Sequence, residues 1–261
     1  MPALVPIRFG SSPEGTPKRP LIAGVAGGGS GGDPYWNNVV LLLSFDGANG
    51  DVTGAGFTDE SPALHGTAIT PFIGAGSLSD TQSQLGYNTS MHFAGGGGRF
   101  WFPDSEDFNL SNRRYTIEYW FRPASTAFAF HVCQWSDAVG DLGWVVGQSD
   151  AYLESISTTG SNVIALLASA GVLAANNWYA GAVTFDGTAY RGFINGVMVA
   201  KSTTLYTVFN SLQFLMFGAN QLGAFSYVGY MQEFRMTMDV DRYPGDGGYV
   251  PATLPFPRFG T

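Results

Sequence analysis

Between Tyr115 and Arg122 the side chains alternate. Tyr115, Ile117, Tyr119 and Phe121 fall on one face, and Thr116, Glu118, Trp120 and Arg122 on the other. A period of two marks a strand with one face on a core. Val39–Phe45 is instead a nearly continuous apolar run, as in a strand buried on both faces. Further strand patterns recur at Met91–Phe93, Arg99–Phe102, Phe128–Trp135, Leu142–Val146, Ala151–Ser157, Val163–Ala168, Ser211–Phe217 and Tyr227–Met236. Within Asn177–Ala200, Asp186-Gly187 and Asn195-Gly196 separate three β-rich segments. These dipeptides supply the positive φ of two-residue hairpin turns, so the stretch predicts an antiparallel meander. About fourteen strands and no long helix predict an all-β fold, a two-sheet antiparallel β-sandwich. Ser105–Phe108 and Asp239–Tyr243 have room for single helical turns.

Residues 1–34 break this pattern. They hold six prolines and eight glycines and carry +1, against −9 for residues 35–261. Such a segment cannot bury a core of its own. It predicts an extended N-terminal arm ending in the linker Gly27–Gly32, with the sandwich over 35–261. Val5, Ile7, Phe9, Leu21 and Ile22 are the apolar anchors that would dock it on a partner. A flexible leader is the alternative. The arm has no apolar run behind a basic start, so cytoplasmic synthesis is expected.

Charge narrows the function. The chain carries 12 basic and 20 acidic residues, for −8, and no basic stripe, which argues against nucleic acid. No apolar run is long enough for membrane insertion. Charged residues are only 12%, suiting either a surface covered by partners or one rich in Ser, Thr and Asn. Cys133 is the single cysteine and sits in an apolar strand, as a buried inert thiol would.

Four segments, NNVVLLLSFDGANG (37–50), RRYTIEYWFRP (113–123), NWYAGAVTFDGTAYRGFINGVMVA (177–200) and GYMQEFRMTMDVDRYPGDGGYVPATLPFP (229–257), together resemble one family. It is the laminin-G-like, concanavalin A-like jelly rolls of tailed-bacteriophage virion proteins. Asp46, Glu118, Trp120, Trp178, Glu233, Arg235, Arg242 and Tyr243 occupy the matching positions. The resemblance implies binding or scaffolding rather than catalysis. It implies a virion location after assembly in the host cytoplasm, with capsid, portal or adaptor, or tail proteins as partners. The appendage could be a tail fibre or a capsid decoration, and a homo-oligomer, a trimer by habit of such proteins, is expected. No heptad run builds a fibre shaft.

Candidate chemistry is sparse. Gly28-Gly29-Ser30-Gly31-Gly32 matches the G-x-S-x-G elbow, but no strand precedes it and no helix follows. No strand carries the alternating carboxylates of a glycoside hydrolase, although a pair built across strands would serve a polysaccharide hydrolase. His65, His92 and His131 lack zinc spacing. A structural calcium is the most credible metal. Asp46, Asn49, Asp51 and Asp59 share one loop region, and Glu233 matches an acidic position of the family. Ala94–Gly98 departs from the Asp-Gly-x-Gly-Asp that relatives carry there. A host glycan is the alternative partner. It would need exposed rings, for which Trp101, Trp135, Trp144 and Tyr152 are the candidates, while Trp120 and Trp178 are assigned to the core. Glu118 and Arg235 are expected to pair across neighbouring strands.

Overall fold

The computed structural model describes residues 31–136, 140–149 and 151–261. The arm residues Val5, Ile7, Phe9, Leu21 and Ile22, and most of the linker, lie outside the described residues. Fifteen strands follow in order: β1 (Val39–Leu43), β2 (Ile69–Ile73), β3 (Gly76–Ser79), β4 (Ser90–Ala94) and β5 (Arg99–Phe102), then β6 (Tyr115–Pro123), β7 (Ala129–Trp135), β8 (Leu142–Gln148), β9 (Ala151–Ile156) and β10 (Ile164–Ala170), and finally β11 (Tyr179–Phe185), β12 (Tyr190–Ile194), β13 (Val197–Ser202), β14 (Leu215–Phe217) and β15 (Val228–Met238). They build two antiparallel sheets. One has eight strands in the order β13-β12-β11-β6-β15-β4-β3, with β1 also on β15. The other has seven in the order β10-β9-β8-β7-β14-β5-β2. The all-β sandwich stands as expected. β2, which contains Pro71, and the Gly- and Ser-rich β3 are strands beyond those the sequence pattern predicts.

Turn chemistry explains the meander, with one correction. Asn195 and Gly196 both have positive φ (51° and 77°) and join β12 to β13 as a two-residue turn. Asp186-Gly187 instead opens a four-residue loop between β11 and β12. There Asp186 Oδ1 accepts from the backbone N–H of Thr188 and Ala189. Ser105 caps a short 3-10 turn, Glu106–Phe108, as its position suggests. Asp239–Tyr243 forms no helical turn, because its groups bond across the sheet instead: Asp239 N–H donates to Arg114 O and Arg242 N–H to Thr116 Oγ1.

The core lies between the sheets and is largely aromatic. Phe100 and Phe217 stack at 4.7 Å, with Phe45, Phe57, Phe93 and Phe234 around them. A second cluster sits on the outer face of the eight-stranded sheet. There the C-terminal tail packs Tyr243, Tyr249, Ala252 and Phe256 over Val39, Leu42, Ala182 and Phe193.

One bulge decides what faces outward. On β15, Gln232 pairs with Trp120 and Arg235 with Glu118, so two residues of β15 oppose Tyr119. Glu233 takes up the extra residue with φ 54°. The insertion resets the alternation. Met231, Phe234 and Met236 point into the core, while Tyr230, Gln232 and Arg235 point out.

Beneath the tail, Arg235 is fully buried among carboxylates. Its Nη2 lies 2.7 Å from Glu118 Oε1, its Nη1 donates to Asp33 Oδ2 at 2.9 Å, and its guanidinium lies 3.8 Å from the centre of the Phe256 ring. Arg242 also donates to both oxygens of Asp33, at 2.8 and 3.0 Å, and Tyr243 donates to Glu118. The expected Glu118–Arg235 pair is thus half of a network. Asp33 stands on the arm side of the boundary at Tyr35, yet it is 2% exposed and holds two arginines.

Candidate functional site

The tail and the loop before β4 cover much of the outer face of the eight-stranded sheet. That loop reaches Gln232 through Gln84, whose N–H donates to Gln232 Oε1. The rung beside it stays open. Antiparallel pairing sets His92 of β4 against Tyr230 of β15, and Tyr230 against Arg122 of β6. Trp178 follows one residue beyond the Tyr179–Phe121 pair, next to Arg122. All four alternate with core residues (Met91, Met231, Phe121 and Tyr179), so all four point outward, and all are half-buried. Trp120, half-buried between Gln232 and Ala180, forms the next rung.

The rings make one continuous platform. His92 and Tyr230 stack at 4.4 Å with planes 16° apart, and Trp178 lies 6.5 Å from Tyr230. The Arg122 guanidinium is 5.9 Å from the Tyr230 centroid and donates to Asn176 Oδ1 at 3.2 Å. Burial lowers the His92 pKa from its ordinary value, so the ring is neutral at pH 7. The half-buried Trp178 indole, tilted 50° from the stacked His92–Tyr230 pair and with a guanidinium and an amide beside it, can stack on a pyranose ring and hydrogen-bond its substituents.

The expectation that aromatic residues of a sandwich belong to its core places Trp120 and Trp178 there and hides this cluster. That assignment is corrected: both are partly open on the outer face. The signal existed, since Trp120 shares its strand face with the polar Thr116, Glu118 and Arg122.

The rings singled out from the sequence lie elsewhere. Trp144 and Tyr152 are each 1% exposed and face the core, and Trp144 Nε1 donates to Gln134 Oε1 and Phe108 O. Neither offers a face to a glycan. Trp135 is buried too, at the base of an apolar groove on the seven-stranded sheet, walled by Phe128, Phe130, Leu142 and Phe225. Trp101 is half-buried on that sheet and stacks on Phe214. The four are not brought together.

Most of the residues grouped for calcium accept hydrogen bonds from the protein. Asp59 is buried and accepts from the N–H of Leu42, Ser61 and His65. Glu233 holds Arg258 Nη1 at 2.6 Å and accepts from Tyr87 and the Phe256 N–H. Asp46 Oδ1 takes the N–H of Asn88 and Thr89, and Asn49 sits in an exposed turn. Asp51 Oδ1 accepts from Thr53 N–H. Asp59 and Glu233 have donors on both carboxylate oxygens, and Asp46 and Asp51 on Oδ1, so these four act as loop anchors. Among the described residues, no three His, Cys, Asp or Glu side chains gather to hold a metal.

The remaining candidates are internal. Cys133 is buried. His131 lies inside the sandwich between Tyr119 OH, 2.8 Å from Nδ1, and Gln148 Oε1, 3.1 Å from Nε2; burial pushes its pKa down to about 3. His65 Nε2 lies 3.2 Å from Asp107 Oδ2.

Comparison with known proteins matches the geometry at the level of fold. Residues 94–239 match the family model of the concanavalin A-like lectin/glucanases superfamily. No curated protein matches the chain. Among solved structures, the chain is similar to the binding domain of Paraclostridial Mosquitocidal Protein 1 (TM-score 0.56, 13% identity, 80% of this chain and 51% of that one). It is also similar to the binding domain of Botulinum Neurotoxin DC. The form in complex with SialylT gives TM-score 0.57 and 13% identity over 80% and 50% of the two chains. The form with rat synaptotagmin II gives 0.56 and 12% over 80% and 50%. The chain spans about half of each of these proteins, and the likeness is one of fold.

Proposed function

This chain belongs to the concanavalin A-like lectin/glucanase superfamily, and from that membership we propose that it is a non-catalytic, carbohydrate-binding attachment module. The observation that carries the reading is the outward ladder His92–Tyr230–Arg122–Trp178, with Trp120 on the next rung. A monomeric sandwich normally closes such rings into a core or covers them. Here the C-terminal tail closes one half of the sheet face and leaves the other half open. Binding domains among the structural neighbours support the class of function. Glycans carry stacked aromatic contacts well because a pyranose presents an apolar face edged with hydroxyls.

The test is a glycan array with wild type and single variants. Wild type is expected to bind carbohydrate, and Trp178→Ala to lose at least tenfold in affinity with an unchanged melting temperature. Losing an aromatic anchor costs about 2 kcal/mol or more, and about 1.4 kcal/mol is tenfold. Trp101→Ala, on the opposite sheet, should leave binding intact. A wild-type array without hits overturns the reading, as does a Trp178→Ala variant that binds normally.

The module is carried on a bacteriophage virion by its N-terminal arm, as tail appendage or capsid decoration. Two features support this: the four phage-like segments, and a Pro/Gly-rich arm whose charge opposes that of the sandwich. Deleting residues 1–30 is expected to leave a folded sandwich that fails to enter particles. The cut must stop short of Asp33, whose loss would strip Arg235 and Arg242 of a partner. Normal incorporation of the truncated protein would count against anchoring by the arm.

A further inference from the structure

We propose that the ladder selects sugars bearing a carboxylate, and that Arg122 is the residue that reads it; this rests on the carbohydrate reading above. Five of the eight arginines in the described residues, Arg113, Arg191, Arg235, Arg242 and Arg258, have a carboxylate within ion-pair distance. Arg99, Arg114 and Arg122 have none among the described residues, and of these three only Arg122 lies beside the outward rings. Its side-chain partner there is the amide oxygen of Asn176, a neutral acceptor that takes one N–H of Nη1.

The placement makes this more than a stray surface cation. Arg122 is half-buried between two rings, with Tyr230 opposite it on β15 and Trp178 beside it at the start of β11. Asn176 holds one end of the guanidinium, which leaves the edge formed by Nε and Nη2 without a protein acceptor. That edge presents two parallel N–H donors, the geometry a carboxylate accepts in bidentate fashion. A sugar ring stacked on Trp178 brings its exocyclic substituent to that edge. His92, neutral at pH 7, suits a hydroxyl and adds no competing charge. A protein of net charge −8 would repel acidic glycans at long range. Recognition therefore depends on this local cation.

The experiment uses paired probes that differ only in the acidic group. Polygalacturonate oligomers are compared with their carboxyl-reduced counterparts, and sialyllactose with lactose. Wild type is expected to favour at least one acidic probe at least tenfold, with the preference shrinking as salt rises. Arg122→Gln should bind both members of that pair with the affinity wild type shows for the neutral one. Arg122→Lys should keep part of the preference, because it retains charge but not the fork. Trp178→Ala should weaken binding to both. If wild type binds neutral and acidic members equally, or Arg122→Gln still discriminates, the assignment falls while carbohydrate binding stands. If wild type binds no carbohydrate at all, both fall.

Discussion

Arg235→Ala is expected to lower the unfolding free energy by about 3–5 kcal/mol, the range for removing one partner of a buried ion pair. The substitution would leave Glu118 and Asp33 buried without their shared guanidinium, and would remove the surface on which Phe256 lies. Domains of this size are stable by only about 5–15 kcal/mol, so the loss consumes much of the total. Urea unfolding read by fluorescence is the direct measurement. If Arg235→Ala accumulates too little folded protein, Asp33→Asn gives a milder test, because Arg235 then keeps Glu118. A wild-type midpoint for both variants would refute the role of the network.

The sign of its pH dependence follows from Asp33. Hydrogen bonds and charge from Arg242 and Arg235 outweigh burial and hold the Asp33 carboxyl below its ordinary value of 3.8. A depressed carboxyl contributes stability that is present above the unfolded pKa and is lost as pH falls through the folded one. The network therefore weakens only in acid below about pH 4.

Glu154→Gln is expected to stabilise the protein at pH 8–9 and to leave it unchanged near pH 4. Glu154 projects from β9 into the sandwich, fully buried, with Tyr115 OH donating to Oε1 at 2.5 Å. Burial raises its pKa from 4.5 to about 8, offset only in part by the Tyr115 hydrogen bond. Between those values the folded protein holds a proton that the unfolded chain has released. Stability from this group is complete below about pH 4.5, falls as pH rises and is lost above about pH 8. At ~1.4 kcal/mol per unit, the upper bound is on the order of 5 kcal/mol. Gln keeps the acceptor for Tyr115 and cannot ionise. The gap between variant and wild type should widen through pH 5–8 and then level off. Parallel stability profiles across that window would refute it. His131 acts in the opposite direction. It is buried neutral with its pKa near 3, so its contribution is lost as pH falls below about 6.5. The variant-minus-wild-type difference isolates Glu154 from that acid limb.

Much of this was legible in the chain because strand periodicity is local. Alternation in Tyr115–Arg122 places Trp120 on the same face as Glu118 and Arg122. That juxtaposition holds. What the pattern left open was which face would be covered. Trp144 and Tyr152 looked available because polar loops adjoin them, but they face the opposing sheet. Trp120 and Trp178 looked like core because they are large, but they lie where the tail stops.

The amino-acid sequence alone determined the all-β class, the antiparallel sandwich and the Asn195-Gly196 turn, since each depends on neighbours along a strand or on a turn's own dihedrals. The tertiary structure alone decided the rest. The bulge at Glu233 sets the outward parity of β15, and so joins Tyr230 to His92 and Arg122. The C-terminal tail covers half of one sheet face and leaves the aromatic half open. Asp33 reaches Arg235 and Arg242 across some 200 residues of sequence. Burial and charge pairing at these positions arise from contacts between distant segments, and no local pattern encodes them.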